Sequence, residues 1–271
     1  MSPSNVASIC FLTPTHRDEI ERFARLRQSI ELHAPAFPHV AIVNTEDHAE
    51  FAARFGRDSE LRIVTTADVL PSVIERHRRR SRLAWLTGRW LRRRVIKSGY
   101  ARQLTRLYAL ASCPYESAAF IDSDVLISRA VSPEDFHVDG RLKLVRQRAA
   151  TAECLDYDIS THEILGNPLH QVTELFDYRC LPPCFRKSSA TTLLAEFKRR
   201  HRPRWVRRFI AQQRPSEYNL LGYAATVLEG GAGYQLIECG PAAGGLDRGA
   251  FQRAAGGLSQ SFLPSSCPAT E

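Results

Sequence analysis

A chain of 271 residues, 44% apolar and 24% charged, has the make-up of a soluble globule with a core of ordinary size. No window comes near the roughly 20 uninterrupted apolar residues of a membrane span, and the Met-Ser-Pro-Ser-Asn start lacks the basic region of a secretory signal, so a cytoplasmic protein is expected. The net charge of +8 points to anionic partners, and seven scattered Cys without a Cys-x-x-Cys pair point to buried thiols rather than a disulfide framework or zinc site.

In chain order, the apolar run at residues 6–12 predicts a first strand and Thr13-Pro14-Thr15 a turn. Ile20, Phe23, Ala24, Leu26 and Ile30 fall on one stripe of a helix over 18–32, with Pro35 and Pro38 at its end. A strand at 40–43, a short helix at 46–55 and a strand at 61–64 complete a βαβαβ opening. That pattern predicts a mostly parallel sheet with right-handed crossovers, binding ligands beyond the C-terminal strand ends.

From Arg76 to Arg106 the chain carries many Arg and no Asp or Glu, with Trp85, Leu86, Trp90 and Leu91 interleaved. One or two helices, broken near Gly88, are expected there. Cations mixed with Trp and Leu are the pattern of an interfacial helix, so peripheral contact with the inner membrane is expected of this run. Nucleic acid is not an expected partner, because no recognised motif or row of stacking aromatics accompanies the charge. A second basic cluster runs from Lys198 through Arg208.

A helix over 102–112, opened by Gly99-Tyr100, turns Leu104, Leu107, Tyr108 and Leu110 inward, and Cys113-Pro114 stops it. Residues 142–145 read as a strand, and the polar stretch 153–171 as loop and short helix lining a cleft. Helices at 188–200 and 206–212 are joined across Pro203. Ser216 reads as the N-cap of a helix reaching about residue 228, ahead of Gly230-Gly231. A late strand at 234–238 precedes a last thirty residues read as loop or tail. With no convincing linker, one domain over 1–271 is expected.

The most informative stretch is Phe120-Ile121-Asp122-Ser123-Asp124-Val125-Leu126-Ile127. Ionised Asp is almost never buried unless it is paired or holds a metal. Two acids one residue apart, at the C-terminal end of an apolar strand, therefore point to a site; the alternative is a strand ending in a turn. Oxygen donors at this spacing suit a hard divalent cation, Mg²⁺ or Mn²⁺, which can bridge to a phosphate-bearing substrate.

With these pieces in order, the chain resembles a GT-A-type glycosyltransferase. More closely it resembles a bacterial family of largely uncharacterised candidate glycosyltransferases. The matching pieces are Phe11-Leu12-Thr13-Pro14-Thr15, Gly99-Tyr100 with Gln103-Leu104, the Phe120–Asp124 motif, and Ser216-Glu217-Tyr218 with Leu221-Gly222-Tyr223. The resemblance implies a Rossmann-like nucleotide-sugar-binding half over 1–130, a mixed acceptor half and tail over 131–271, a nucleotide-sugar donor, and a glycan or lipid-linked acceptor. It implies that Asp124 ligates the metal and that Asp122 contacts the metal or the donor, easing departure of a nucleoside diphosphate. Thr13 and Thr15 would line the nucleotide pocket, and Arg102 or Arg106 would clamp phosphate. Glu217 would be the carboxylate that takes the acceptor's proton, with Asp156 and Asp158 as fallbacks. No His motif follows His201, so a further metal ligand would come from Gln260, Asp247 or water.

Two rival readings stand beside this one. An apolar strand ending in Asp-x-Asp is also the first motif of haloacid-dehalogenase-like phosphatases, where the first Asp is a nucleophile; here it begins after about 120 residues and lacks a suitably spaced later acidic pair. A non-catalytic adaptor, binding membrane or nucleic acid through the basic run, is the other.

Overall fold

A computed structural model describes residues 9–83, 98–149, 151–168, 174–180, 182–201, 204–212, 214–238 and 250–253. At its centre lies β1 (Ile9–Thr15), buried along its whole length, as a strand with neighbours on both edges and cover on both faces must be. β1 pairs in parallel with β2 (His39–Val43) and with β4 (Ser117–Phe120), and β2 in parallel with β3 (Leu61–Thr65). β9 (Cys184–Arg186) adds to β4 antiparallel. The sheet order is β3-β2-β1-β4-β9, and the chain is α/β with a mixed, mostly parallel sheet.

Helices α1 (Ile20–His33) and α2 (His48–Phe55) make the first two crossovers, and α5 (Ser98–Ser112) leads into β4. Phe23, Leu26, Arg27 and Ile30 form the buried face of α1, close to the predicted stripe. Because β2 and β3 lie on one side of β1 and β4 on the other, the winding reverses between β1 and β4. In open α/β sheets such a reversal leaves a crevice at the carboxyl ends of the two strands.

The turn expected at Thr13-Pro14-Thr15 is instead the end of β1, paired with Ala41, Ile42 and Val43. Phe11 N–H donates to Pro38 O on the β2 side, so alternation turns the nitrogen of Pro14 to the opposite edge. There β4 has already left the sheet, its register stopping at Leu12 opposite Phe120. A missing N–H costs a central strand little where it has no partner strand.

A smaller layer joins β7 (Arg141–Arg148) in parallel with β10 (Tyr234–Glu238), with β6 (His137–Val138) and β8 (Phe176–Asp177) antiparallel to β7. The tail is not all loop. β11 (Phe251–Arg253) pairs antiparallel with β5 (Val125–Ile127), and Phe251 contacts Phe136, which reaches Phe37 and Phe11 in the core. The polar stretch after residue 151 also differs from expectation. It forms α6 (Ala152–Leu165), capped by the Thr151 side chain and ended by Gly166 at φ +72°. Its buried face mixes Asp158, Ser160, Thr161 and His162 with Cys154, Tyr157, Ile164 and Leu165, so no continuous apolar stripe announced it.

Of the basic run, residues 84–97 lie outside the described residues. The flanks are α4 (Ser72–Leu83), reached through the short α3 (Thr66–Val69), and α5. Helices α7 (Lys187–His201) and α8 (Trp205–Ala211) flank Pro203, and α9 (Glu217–Tyr223) starts at the expected Ser216 cap before giving way to a π-helical turn at Ala224–Leu228. Among the described residues no helix is long and apolar enough to cross a membrane.

Candidate active site

Beyond Phe120, the buried Ile121 carries the chain out of the sheet, and Val125 N–H closes a turn on Asp122 O at 3.0 Å. Asp122, Ser123 and Asp124 thus form the link between β4 and β5 rather than interrupting one strand. They stand at the carboxyl end of β4, beside the end of β1, where the winding reverses.

Two arginines one turn apart on α5 serve this link. Arg106 is buried: its Nη1 donates to Glu217 Oε1 at 2.6 Å, and its Nη2 donates to Asp122 Oδ1. Its Nε is buried with no hydrogen-bond partner among the described residues. The guanidinium also lies 5.5 Å from the centre of the Tyr218 ring. Burial opposes its charge, but Asp122, Tyr218 and Glu217 together hold its pKa well above the ordinary value. Glu217, at the first position of α9 and 2% exposed, is pushed the other way: burial raises its carboxyl above the usual range, against the pull of Arg106. The guanidinium stays charged, and of its two partners Glu217 holds a proton more readily than an ordinary Glu.

The second brace comes from the 3₁₀ turn Arg17–Glu19, directly after β1. Ser123 Oγ donates to Glu19 Oε2 at 2.7 Å, Arg102 Nη2 donates to Glu19 Oε1 at 3.0 Å, and His16 Nε2 lies 3.4 Å from the same oxygen. Burial alone would raise the Glu19 carboxyl, yet His16, Arg102 and Ser123 hold it at about 2. Sequence reading passed over Glu19, His16 and Ser123; the one signal was an acid just past the first strand, where such sheets bind ligands.

A family model described as a family of unknown function, DUF6492, matches residues 4–235. The chain belongs to this family. No curated protein matches it. Among solved structures, the crystal structure of mouse xyloside xylosyltransferase 1 in its apo form is similar over 86% of each chain, with 9% identity and a TM-score of 0.42.

In this DUF6492 chain the remaining candidates divide. Thr13 is buried in the sheet and its hydroxyl meets His39 Nε2 at 2.9 Å; burial, then the charge of Arg27, holds that imidazole near a pKa of 3, hence neutral. Thr15, at the tip of β1, is buried with a hydroxyl lacking a hydrogen-bond partner among the described residues. Arg102 is tied to Glu19 but keeps 35% of its side chain exposed. Asp156 is exposed, 3.7 Å from Arg214. Asp158 is buried, accepts from Phe176 N–H at 3.1 Å, and is raised by burial to about 7. Asp247 and Gln260 lie outside the described residues.

For a metal, the Asp122–Asp124 link offers hard carboxylate donors two residues apart in one turn. Their chemistry fits Mg²⁺ or Mn²⁺. No group of three or more His, Cys, Asp or Glu among the described residues is arranged to hold a metal ion.

Proposed function

We propose that this chain is a glycosyltransferase that moves a sugar from a nucleotide-diphosphate donor to a glycan or lipid-linked acceptor. The observation that carries this reading is the Asp122-Ser123-Asp124 turn, placed at the crevice between β1 and β4 and braced from two sides by α5, through Arg106 and through Arg102 with Glu19. An acidic turn held at that place suits a cation-bound diphosphate, since such sheets bind ligands at the carboxyl ends of their strands.

Asp122 and Asp124 would hold Mn²⁺ or Mg²⁺, which when bound supplies charge neutralisation for the departing diphosphate. Thr15, with its unengaged hydroxyl, lines the donor side; Thr13 supports it from inside the sheet. Arg102, partly exposed, adds positive charge for phosphate. Glu217 is the carboxylate we assign to the acceptor's proton, since burial raises its proton affinity toward that of a working base. Arg106 keeps that carboxylate and Asp122 in a fixed relation. We place the work in the cytoplasm.

Thermal unfolding with UDP, GDP, CDP or dTDP, each with and without Mn²⁺, tests the reading. A nucleotide at about 100 times its dissociation constant should add roughly 2.7 kcal/mol. One nucleotide should stabilise the wild type only with Mn²⁺, and Asp124→Ala should fold normally without responding. Silence from every nucleotide would remove the donor site.

A further inference from the structure

The run from Arg76 to Arg106 is the expected membrane-facing segment, but several of its described cations are held in ion pairs, two of them buried. Arg78 is buried and paired with Glu75 and Glu46, Arg79 is paired with Glu75, Arg102 with Glu19, and Arg106 with Asp122 and Glu217. An acid-free stretch of sequence is neutralised by Glu75 at its edge and by Glu19, Glu46, Asp122 and Glu217 from elsewhere in the chain.

The second basic cluster behaves differently. Residues 198–214 contain eight Lys and Arg and no Asp or Glu. Arg199 and Arg200 are held by Glu196. Lys198, Arg204, Arg207 and Arg208 are exposed and make no ion pair among the described residues. His201, between them in sequence, has its pKa lowered chiefly by burial and then by the charges of Arg208 and Arg200.

The helix that presents these cations is anchored from below. Trp205 stacks on Phe197 with centroids 4.8 Å apart, Phe209 meets Tyr100 edge-on, and the Tyr100 hydroxyl donates to Gln212 O at 2.9 Å. With its aromatics turned inward, α8 shows Arg204, Arg207 and Arg208 to solvent, with half-buried Val206 and Ile210 beside them.

We propose that the face formed by Arg204, Arg207 and Arg208, with Lys198 exposed on the preceding helix, docks the protein on an anionic phospholipid surface. Lipid headgroups ask only for dense positive charge facing one plane. Single-stranded nucleic acid would ask for aromatic platforms on which bases stack, and here Trp205 and Phe209 are buried. The inference does not depend on sugar transfer.

The test is co-sedimentation of the full chain with vesicles of phosphatidylcholine alone or with about one-third phosphatidylglycerol, at low and high salt. The wild type should bind only the anionic vesicles and be released by salt. Arg204→Glu/Arg207→Glu/Arg208→Glu should bind roughly tenfold more weakly or worse, with an unchanged unfolding temperature. If charge reversal impairs folding, the Arg→Gln triple at the same positions carries the comparison. Equal binding by the variant, no binding by the wild type, or tighter binding to a single-stranded oligonucleotide than to anionic vesicles would each overturn the proposal.

Discussion

Arg106 and Glu217, 111 residues apart in the chain, meet in a buried ion pair 2.6 Å long. The pair ties α5 to the start of α9, and through the second arm of the guanidinium it ties both to the Asp122 turn. Breaking it by removing one partner leaves a charge stranded in the interior. Arg106→Met should therefore cost about 3–5 kcal/mol in urea unfolding. Arg106→Met combined with Glu217→Gln should cost less than Arg106→Met alone, because the stranded carboxylate is gone. A single variant close to wild type in stability would show that Glu217 is accommodated without Arg106.

Asp158 makes a pH signature. Its carboxyl is raised in the folded state from 3.8 to about 7, chiefly by burial. The folded chain therefore binds the proton more tightly than the unfolded one, and stability from this group is full below about pH 4 and falls as pH rises to 7. Asp158→Asn keeps a neutral group there. Measured against wild type, it should gain relative stability between pH 4 and 7, by about 4 kcal/mol at most. A difference that does not change with pH would mean that Asp158 ionises in the fold without penalty.

Glu19 gives the opposite sign. Its carboxyl is lowered from 4.5 to about 2, so its contribution is present above pH 4.5 and lost as pH falls toward 2. Glu19→Gln should flatten stability in that acid window alone. Ser123→Ala removes a hydrogen bond to the same carboxylate, worth about 1.5–3 kcal/mol. Both variants loosen the Asp122–Asp124 turn, so both should also weaken Mn²⁺-dependent nucleotide stabilisation; an undiminished response would make the brace purely structural.

Gly222 on α9 tests how closely the helix sits on the layer beneath it. A Cβ there would come within 2.3 Å of the Tyr178 ring, and Tyr178 is buried, its hydroxyl 3.3 Å from Thr226 Oγ1. The ring has little room to yield. Gly222→Ala should destabilise by about 1–3 kcal/mol in thermal unfolding, and a neutral outcome would mean that α9 can shift outward.

Much of the frame was legible because its local signals agree. Residues around β2 and β3 are apolar enough to be strands, α1 shows one face to the core, and Ser216 caps a helix as its hydroxyl chemistry suggests. Legibility failed where burial is satisfied by polar groups or by distant partners. The inner face of α6 mixes Asp158, Ser160, Thr161 and His162 with Cys154, Tyr157, Ile164 and Leu165, and β11 exists because Phe251 finds Phe136 and Val125–Ile127 needs a partner. Pro14 read as a turn because pairing on one side only is a property of the sheet, not of the tripeptide.

What the sequence determined by itself was the α/β class, the parallel opening and the two acids just past a buried strand, since periodicity and composition act locally. Which charges face solvent was decided only by the tertiary structure. Arg78 and Arg106 look as free in the sequence as Arg204 and Arg207, yet Arg78 adds Glu46 from a distant segment to Glu75 of its own helix, and Arg106 finds Asp122 and Glu217 across the fold. A buried guanidinium must have a counter-charge, and for Arg106 only the packing of distant elements brings one to it.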